Sequence, residues 1–269
     1  MIRVRQQKIV DYVHDKGITS LVELAQLFDV SEFTIRRDID YLAGSHLLEK
    51  IKGGAKRIET PSQFREAALT SRMRIKVREK EIIAERALAY IEPGDTLFLD
   101  GSSTIITLAR ALANAPREVT VVTNSTLIAL ELAESPKITL VGLGGIFDHD
   151  TYSFVFTEND QSTNPAYYPN KAFLSCAGFI PEEGTFENAA RNSPVKRQIA
   201  AAAQHVYLLI NSEKFNRRAL CRVLNTDQIN TVITNSTPGR AIESIMLCNG
   251  IALISSDKID SQSSLKDLQ

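Results

Sequence analysis

Residues 20 to 58 most constrain what this chain can fold into. The apolar helix pattern Leu21-Val22-Glu23-Leu24-Ala25-Gln26-Leu27-Phe28 runs into the turn Asp29-Val30-Ser31. A second, cation-rich helix pattern follows, Phe33-Thr34-Ile35-Arg36-Arg37-Asp38-Ile39-Asp40-Tyr41-Leu42. Leu47 to Ile58 then reads as two short strands around Gly53-Gly54. Helix, tight turn, basic helix and basic β-wing is the layout of a winged helix-turn-helix, and it predicts contact with DNA.

The flanking residues agree with this layout. Ile9, Val10 and Val13 give a first helix over about Arg5 to Asp15 an apolar stripe, and Gly17 stops it. Ile18-Thr19 reads as a short strand. Ser20 is placed to cap the second helix, with Glu23 completing a capping box, and Ser31 to cap the third. Ile35, Ile39 and Leu42 should face the core, leaving Arg36, Arg37 and Asp40 outward. Guanidinium groups pair with a guanine edge or a phosphate, so Arg36 and Arg37 are the central DNA-reading candidates. Ser31 and Thr34 stand near the helix start, where base or phosphate contacts are made. Lys50, Lys52, Lys56 and Arg57 on the wing suit the DNA backbone or minor groove.

Charge is divided unevenly. Residues 1–80 hold 16 Lys+Arg against 11 Asp+Glu, whereas residues 81–269 hold 15 against 21. A basic head on an acidic body assigns the polyanionic ligand to the head and predicts salt-sensitive binding. The 269 residues suffice for two domains. No apolar run approaches the roughly 18 residues of a membrane span. Met1 to Arg5 lacks the apolar core of a signal peptide. Cys176, Cys221 and Cys248 are odd in number and widely spaced, which suits reduced thiols in the cytoplasm. His14, His46, His149 and His205 are scattered without ligand spacing, so neither a metal nor a cofactor is expected.

Residues 59–80 read as a polar connector, broken at Thr60-Pro61-Ser62 and then helical from Phe64 to Lys80. From residue 81 to 255 strands alternate with helices. Strand patterns lie at Thr96–Leu99, Val119–Val122, Ile138–Val141, Ala172–Leu174, Val206–Ile210, Thr231–Ile233 and Ile251–Ile254. Helix patterns lie at Thr104–Leu112, Leu127–Leu132, Val195–Ala203 and Ala241–Leu247. This alternation predicts an α/β domain with a mainly parallel sheet covered on both faces. Residues 256–269 form a polar tail expected to fray.

Two strand ends carry chemistry. Asp100-Gly101-Ser102-Ser103-Thr104 is a strand end, a glycine turn and hydroxyl residues opening a helix, a place for a phosphate at free helix amides. Val122-Thr123-Asn124-Ser125 opens the next helix in the same way. Carboxyl ends of parallel strands are where such sheets bind ligands.

The run Glu23-Leu24-Ala25, Val30-Ser31, Thr34-Ile35-Arg36-Arg37-Asp38 and Gly53-Gly54-Ala55 resembles the N-terminal signature of DeoR-family bacterial transcription regulators. The resemblance continues more loosely to about residue 255. It implies a winged helix that binds operator DNA, usually as a repressor of a carbohydrate operon. It also implies a C-terminal sugar-phosphate sensor of the isomerase/CoA-transferase type, related to ribose-5-phosphate isomerase. Gly144-Gly145, Gly184-Thr185-Phe186 leading to Val195-Lys196, and Asn211 to Phe215 with Lys214 are similar to the family's ligand-contacting segments. Homo-oligomerisation, as a dimer or higher, is expected because two half-sites are read by a symmetric protein. The chain departs from the family pattern at Asn211 and Asn235, where acids are usual, at Ala177, and in the long polar stretch Glu158 to Asn170. The alternative is a sugar-phosphate isomerase or deaminase with a DNA-binding head, which those missing acids disfavour.

Overall fold

A computed structural model describes residues 4–44, 47–56, 69–155 and 167–255. Arg57, residues 59–68 of the connector, most of the Glu158–Asn170 stretch and the tail from 256 lie outside the described residues. The chain divides into two compact units, residues 1–63 and 64–269.

In the N-terminal unit α1 (Val4–Lys16), β1 (Ile18–Ser20), α2 (Leu21–Leu27) and α3 (Glu32–Gly44) precede the wing strands β2 (Glu49–Ile51) and β3 (Gly54–Lys56). The strands pair antiparallel in the order β1-β3-β2. Ser20 caps α2 by accepting from the Glu23 amide at 3.1 Å. The Glu23 carboxylate is held by the Tyr12 hydroxyl, Lys16 and the Ser20 backbone, which lower its pKa. Ile9, Val13, Leu24, Ile35, Ile39, Leu42 and Leu48 close one apolar core. Gly53 turns the wing at φ +85°. A Cβ on Gly54 would stand 2.1 Å from the carbonyl oxygen of Thr19, so β3 approaches β1 closely only with glycine there.

The C-terminal unit opens with α4 (Leu69–Arg74) and α5 (Val77–Leu88), separated by Lys76 in the left-handed region at φ +53°. The single connector helix expected to end at Lys80 is thus two helices, and the second runs on to Leu88. Its Ile83, Ala84 and Ala87 are fully buried against the sheet, because apolar positions continue at helical spacing past Lys80.

The remaining elements are β4 (Thr96–Leu99), α6 (Ser103–Asn114), β5 (Val119–Thr123), α7 (Thr126–Leu132), β6 (Ile138–Gly142), β7 (Ile146–Asp148) and β8 (Ser153–Val155). They continue with β9 (Lys171–Leu174), β10 (Gly178–Ile180), β11 (Gly184–Glu187), α8 (Ser193–Ala202), β12 (His205–Leu209), β13 (Cys221–Arg222), β14 (Thr231–Ile233), α9 (Arg240–Cys248) and β15 (Ala252–Ile254). Among the described residues seven strands form a wholly parallel sheet in the order β15-β14-β12-β9-β4-β5-β6. Side chains alternate across it. Leu97, Leu99 and Val121 join the α5–α6–α7 face, while Phe98, Val122 and Ala172 join the α8 face.

The chain runs outward from β4 through β5 and β6, then returns to the opposite side of β4 at β9. The strand order therefore reverses between β4 and β9, which opens a crevice at their carboxyl ends. Two smaller sheets were not foreseen: the antiparallel β10-β11-β13 and the hairpin β7-β8. Their strands are two to four residues long, too short for a period-2 pattern to register.

Candidate functional site

The N-terminal unit presents a charged helix face. In α3 the buried stripe is Ile35, Asp38, Ile39 and Leu42. The opposite stripe, Phe33, Arg36, Arg37, Asp40 and Tyr41, is exposed along its whole length. Ser31 caps the helix, accepting from the Thr34 amide at 3.2 Å, and its hydroxyl lies 2.9 Å from that of Thr34. Ser31 thus serves the cap, and both hydroxyls keep capacity for a further hydrogen bond. Lys50 of the wing pairs with Asp40 of α3, Lys52 is exposed at the wing turn, and Lys56 is half-buried.

Asp38, a residue of the signature run, is not on the surface. It is 4% exposed and accepts from Arg5 Nε at 2.7 Å and Gln6 Nε2 at 2.8 Å, tying α3 to α1. Its signal was positional, because a carboxylate on an apolar stripe requires a buried partner.

In the C-terminal unit a cavity of about 160 Å³ opens at the β4/β9 reversal. It brings together Asp100, Gly101, Ser102, Ser103, Thr104, Asn124 and Lys214 of the expected residues. Thr123, Gly144 and Gly145 do not line it. The Thr123 hydroxyl instead donates to the Leu99 carbonyl at 2.7 Å and accepts from the Ser125 amide at 3.1 Å, which shapes the turn after β5. Gly144 and Gly145 lie in the link between β6 and β7.

Asp100 organises the cavity floor. One carboxylate oxygen accepts from the Ser102 amide and the other from the Ser175 amide, each at 2.9 Å. Lys196 lies 3.0 Å from that second oxygen, bonds Glu187, and donates to the Ser175 carbonyl at 2.6 Å. Asp100, Glu187 and Lys196 are 2%, 3% and 8% exposed. Burial alone would lower the lysine's pKa, but Asp100 and Glu187 overcome it and hold Lys196 firmly charged.

Above this floor the walls are cationic. Lys214 donates to the Cys176 carbonyl at 2.6 Å, and burial lowers its pKa. Lys80 donates to the carbonyls of Arg72 and of Ile75, the latter at 2.6 Å. Its pKa is lowered to about 8, first by burial and then by the charges of Lys214 and Arg72. Arg72 and Lys76 complete the rim, Lys76 being paired with Glu213. Burial pushes the Cys176 thiol up to about 12, which disfavours its thiolate form.

Helix α6 points its N-terminus into the cavity. Ser102 caps it through the Ile105 amide at 3.4 Å, and the amides of Ser103 and Thr104 have no intrahelical acceptor. Gly101 is required by what covers it, since a Cβ there would meet the Ser153 hydroxyl at 2.1 Å. Ser153 belongs to the β7-β8 hairpin, which is fastened over the end of β5. Phe154 and Asn124 bond each other twice, at 2.8 and 2.9 Å, and Thr126 donates to Tyr152 at 2.9 Å. The side-chain oxygens of Asn124 and Asn211, both residues of the cavity lining, are buried without a hydrogen-bond partner. Each is an acceptor that a donor group would satisfy.

Lys80, Arg72, Lys76, Ser175 and Glu187 carry no sequence signal for the cavity, whereas Lys196 belongs to the segment that resembles the family's ligand-contacting one. Among the described residues no group of three or more His, Cys, Asp or Glu could hold a metal ion, and no helix is long and apolar enough to cross a membrane.

A family model of the DeoR-like helix-turn-helix domain matches residues 5–61, and one of the DeoR C terminal sensor domain matches residues 75–236. The chain is 32% identical over 239 residues to the uncharacterized HTH-type transcriptional regulator YulB of Bacillus subtilis, covering 88% of this chain and 90% of that protein. It is 29% identical to the L-fucose operon activator of Haemophilus influenzae, with 86% and 91% covered. It is also 29% identical to the lactose phosphotransferase system repressor of Lactococcus lactis, with 86% and 90% covered.

Proposed function

The chain belongs to the DeoR family of DNA-binding transcriptional regulators, and on that premise we propose that it represses a carbohydrate-use operon and leaves its operator when a phosphorylated sugar fills the cavity. The observation that carries this reading is the cavity's polarity. Arg72, Lys76, Lys80 and Lys214 stand around the N-terminus of a 12-residue helix, an arrangement that favours a phosphate. The unpaired oxygens of Asn124 and Asn211 suit hydroxyl donors on the same molecule. Filling the cavity shifts the population between operator-competent and incompetent arrangements. The regulator works in the cytoplasm as a dimer or higher homo-oligomer, since a symmetric protein reads two half-sites.

The enzyme reading is less well supported. An isomerase needs a carboxylate able to carry a proton, and the two in the cavity, Asp100 and Glu187, are both clasped by Lys196.

A thermal-shift screen tests the proposal, because a ligand bound by the folded state alone raises the melting temperature. At least one sugar phosphate should raise it, while the parent sugar does not, and the same compound should release operator DNA in a gel-shift titration. No shift with any pentose or hexose phosphate would overturn the effector assignment, and turnover of one would favour the enzyme.

A further inference from the structure

On the recognition face of α3 two aromatic side chains have no partner class assigned, Phe33 and Tyr41, and Phe33 is the more exposed and stands in the first turn. It is the second residue of the helix and is 70% exposed. It takes no part in the apolar core of its own unit, which Ile35, Ile39 and Leu42 of the same helix close from the other side. Helical spacing puts it one turn ahead of Arg36 and Arg37 on the same stripe. The first turn of a recognition helix is the part that meets base edges in the major groove. The Ser31 and Thr34 hydroxyls beside Phe33 bond each other, and Ser31 also accepts from the Thr34 amide; Phe33 is the exposed apolar group of this first turn.

What an apolar side chain can read in the major groove is narrow. Of the four bases only thymine shows a carbon substituent there, the 5-methyl group. The two arginines beside it supply attraction to the phosphates or to guanine, so the ring is carried to the base edges by charge and makes its own contact by shape.

We propose that Phe33 packs on the 5-methyl group of a thymine in the operator and selects that base pair. The test uses the full-length protein. Preferred duplexes are first selected from a randomised pool, and each thymine of the winning sequence is then replaced singly by deoxyuridine, which removes the methyl and leaves base pairing intact. At one position deoxyuridine should weaken binding by about fourfold, the weight of one buried methyl group. Phe33→Ala should abolish that sensitivity while melting at the parent's temperature, and Phe33→Leu should keep part of it.

A parent protein indifferent to deoxyuridine at every position overturns the proposal. So does a Phe33→Ala variant that keeps the same penalty at the same position. If the selection yields no preferred sequence, the assignment of α3 to base reading falls with it, which separates failure of the helix from failure of this residue.

Discussion

Apart from the buried Asp38 of the first, the two units of this chain place their charges in opposite ways. The N-terminal unit carries Arg36, Arg37 and Lys52 on its outside, over a core closed by aliphatic side chains. The C-terminal unit holds Asp100, Glu187 and Lys196 inside, nine-tenths or more buried. A large polyanion can come to a charge on a surface. A small ligand is better held by charges already taken out of water, where attraction is weakly screened and the desolvation cost was met during folding. The same residue types thus serve recognition of a macromolecule in one unit and enclosure of a small molecule in the other.

The strongest way to break this contrast is Lys196→Met. It leaves two carboxylates buried without their cation and should destabilise the C-terminal unit by about 3–5 kcal/mol. Calorimetry should show the corresponding melting transition fall while that of residues 1–63 stays put. Equal movement of both would mean that the buried trio does not belong to one unit's stability alone.

On the surface side, Arg36→Ala or Arg37→Ala should cost about 1–3 kcal/mol of operator affinity when that side chain reads a base, with no change in melting. A gel-shift titration in which both variants match the parent would remove α3 from the interface.

Lys214→Ala sharpens the comparison from inside the cavity. Operator binding in the absence of effector should be unchanged, and the concentration of sugar phosphate needed for release should rise. Ser102→Ala should act in the same direction. Normal release by both variants would exclude the cavity as the phosphate site.

The smallest expected effect is a pH dependence at Lys80. Its pKa lies near 8 in the free protein, and a bound phosphate favours its charged form. Above pH 7 the phosphate is already dianionic, its second pKa being about 6. Effector affinity should therefore fall a few-fold as pH rises through about 8. Stability of the free protein carries the opposite sign. A lysine whose folded pKa is depressed costs stability below that value, and the cost is relieved as pH rises from about 8 toward the ordinary 10.5. Calorimetric titrations at pH 7 and pH 9 read the first trend and melting curves the second. Lys80→Met should flatten both.

The same contrast explains what could be read in advance. The stripes of α3 follow from spacing within 13 residues, so Ile35, Ile39, Leu42, Arg36 and Arg37 were assignable from local pattern. The strand order was expected only as far as parallel pairing, and the turn Asp100 to Thr104 was found because strand, glycine and hydroxyls lie side by side. The clasp on Asp100 was not legible. Ser175 is 75 residues from it, and Lys196 faces it only because the chain crosses back beside β4. Lys80 sat in a stretch that read as connector, and its place in the cavity depends on where α5 packs. Gly144 and Gly145 lie outside the lining of this cavity, and a glycine pair after a strand looks the same whether it borders a ligand or only turns the chain.

The two glycines of the wing are not interchangeable, and chemical synthesis would tell them apart. Position 53 asks for a torsion, so a D-amino acid there would suit the hairpin and an L-alanine would strain it. Position 54 asks for emptiness, since the Thr19 oxygen lies where an L-alanine methyl must go. Swapping in that one methyl would prise β3 off β1 and swing the basic flap away from the helix it flanks, changing the reach of the DNA-reading surface without touching a charged residue.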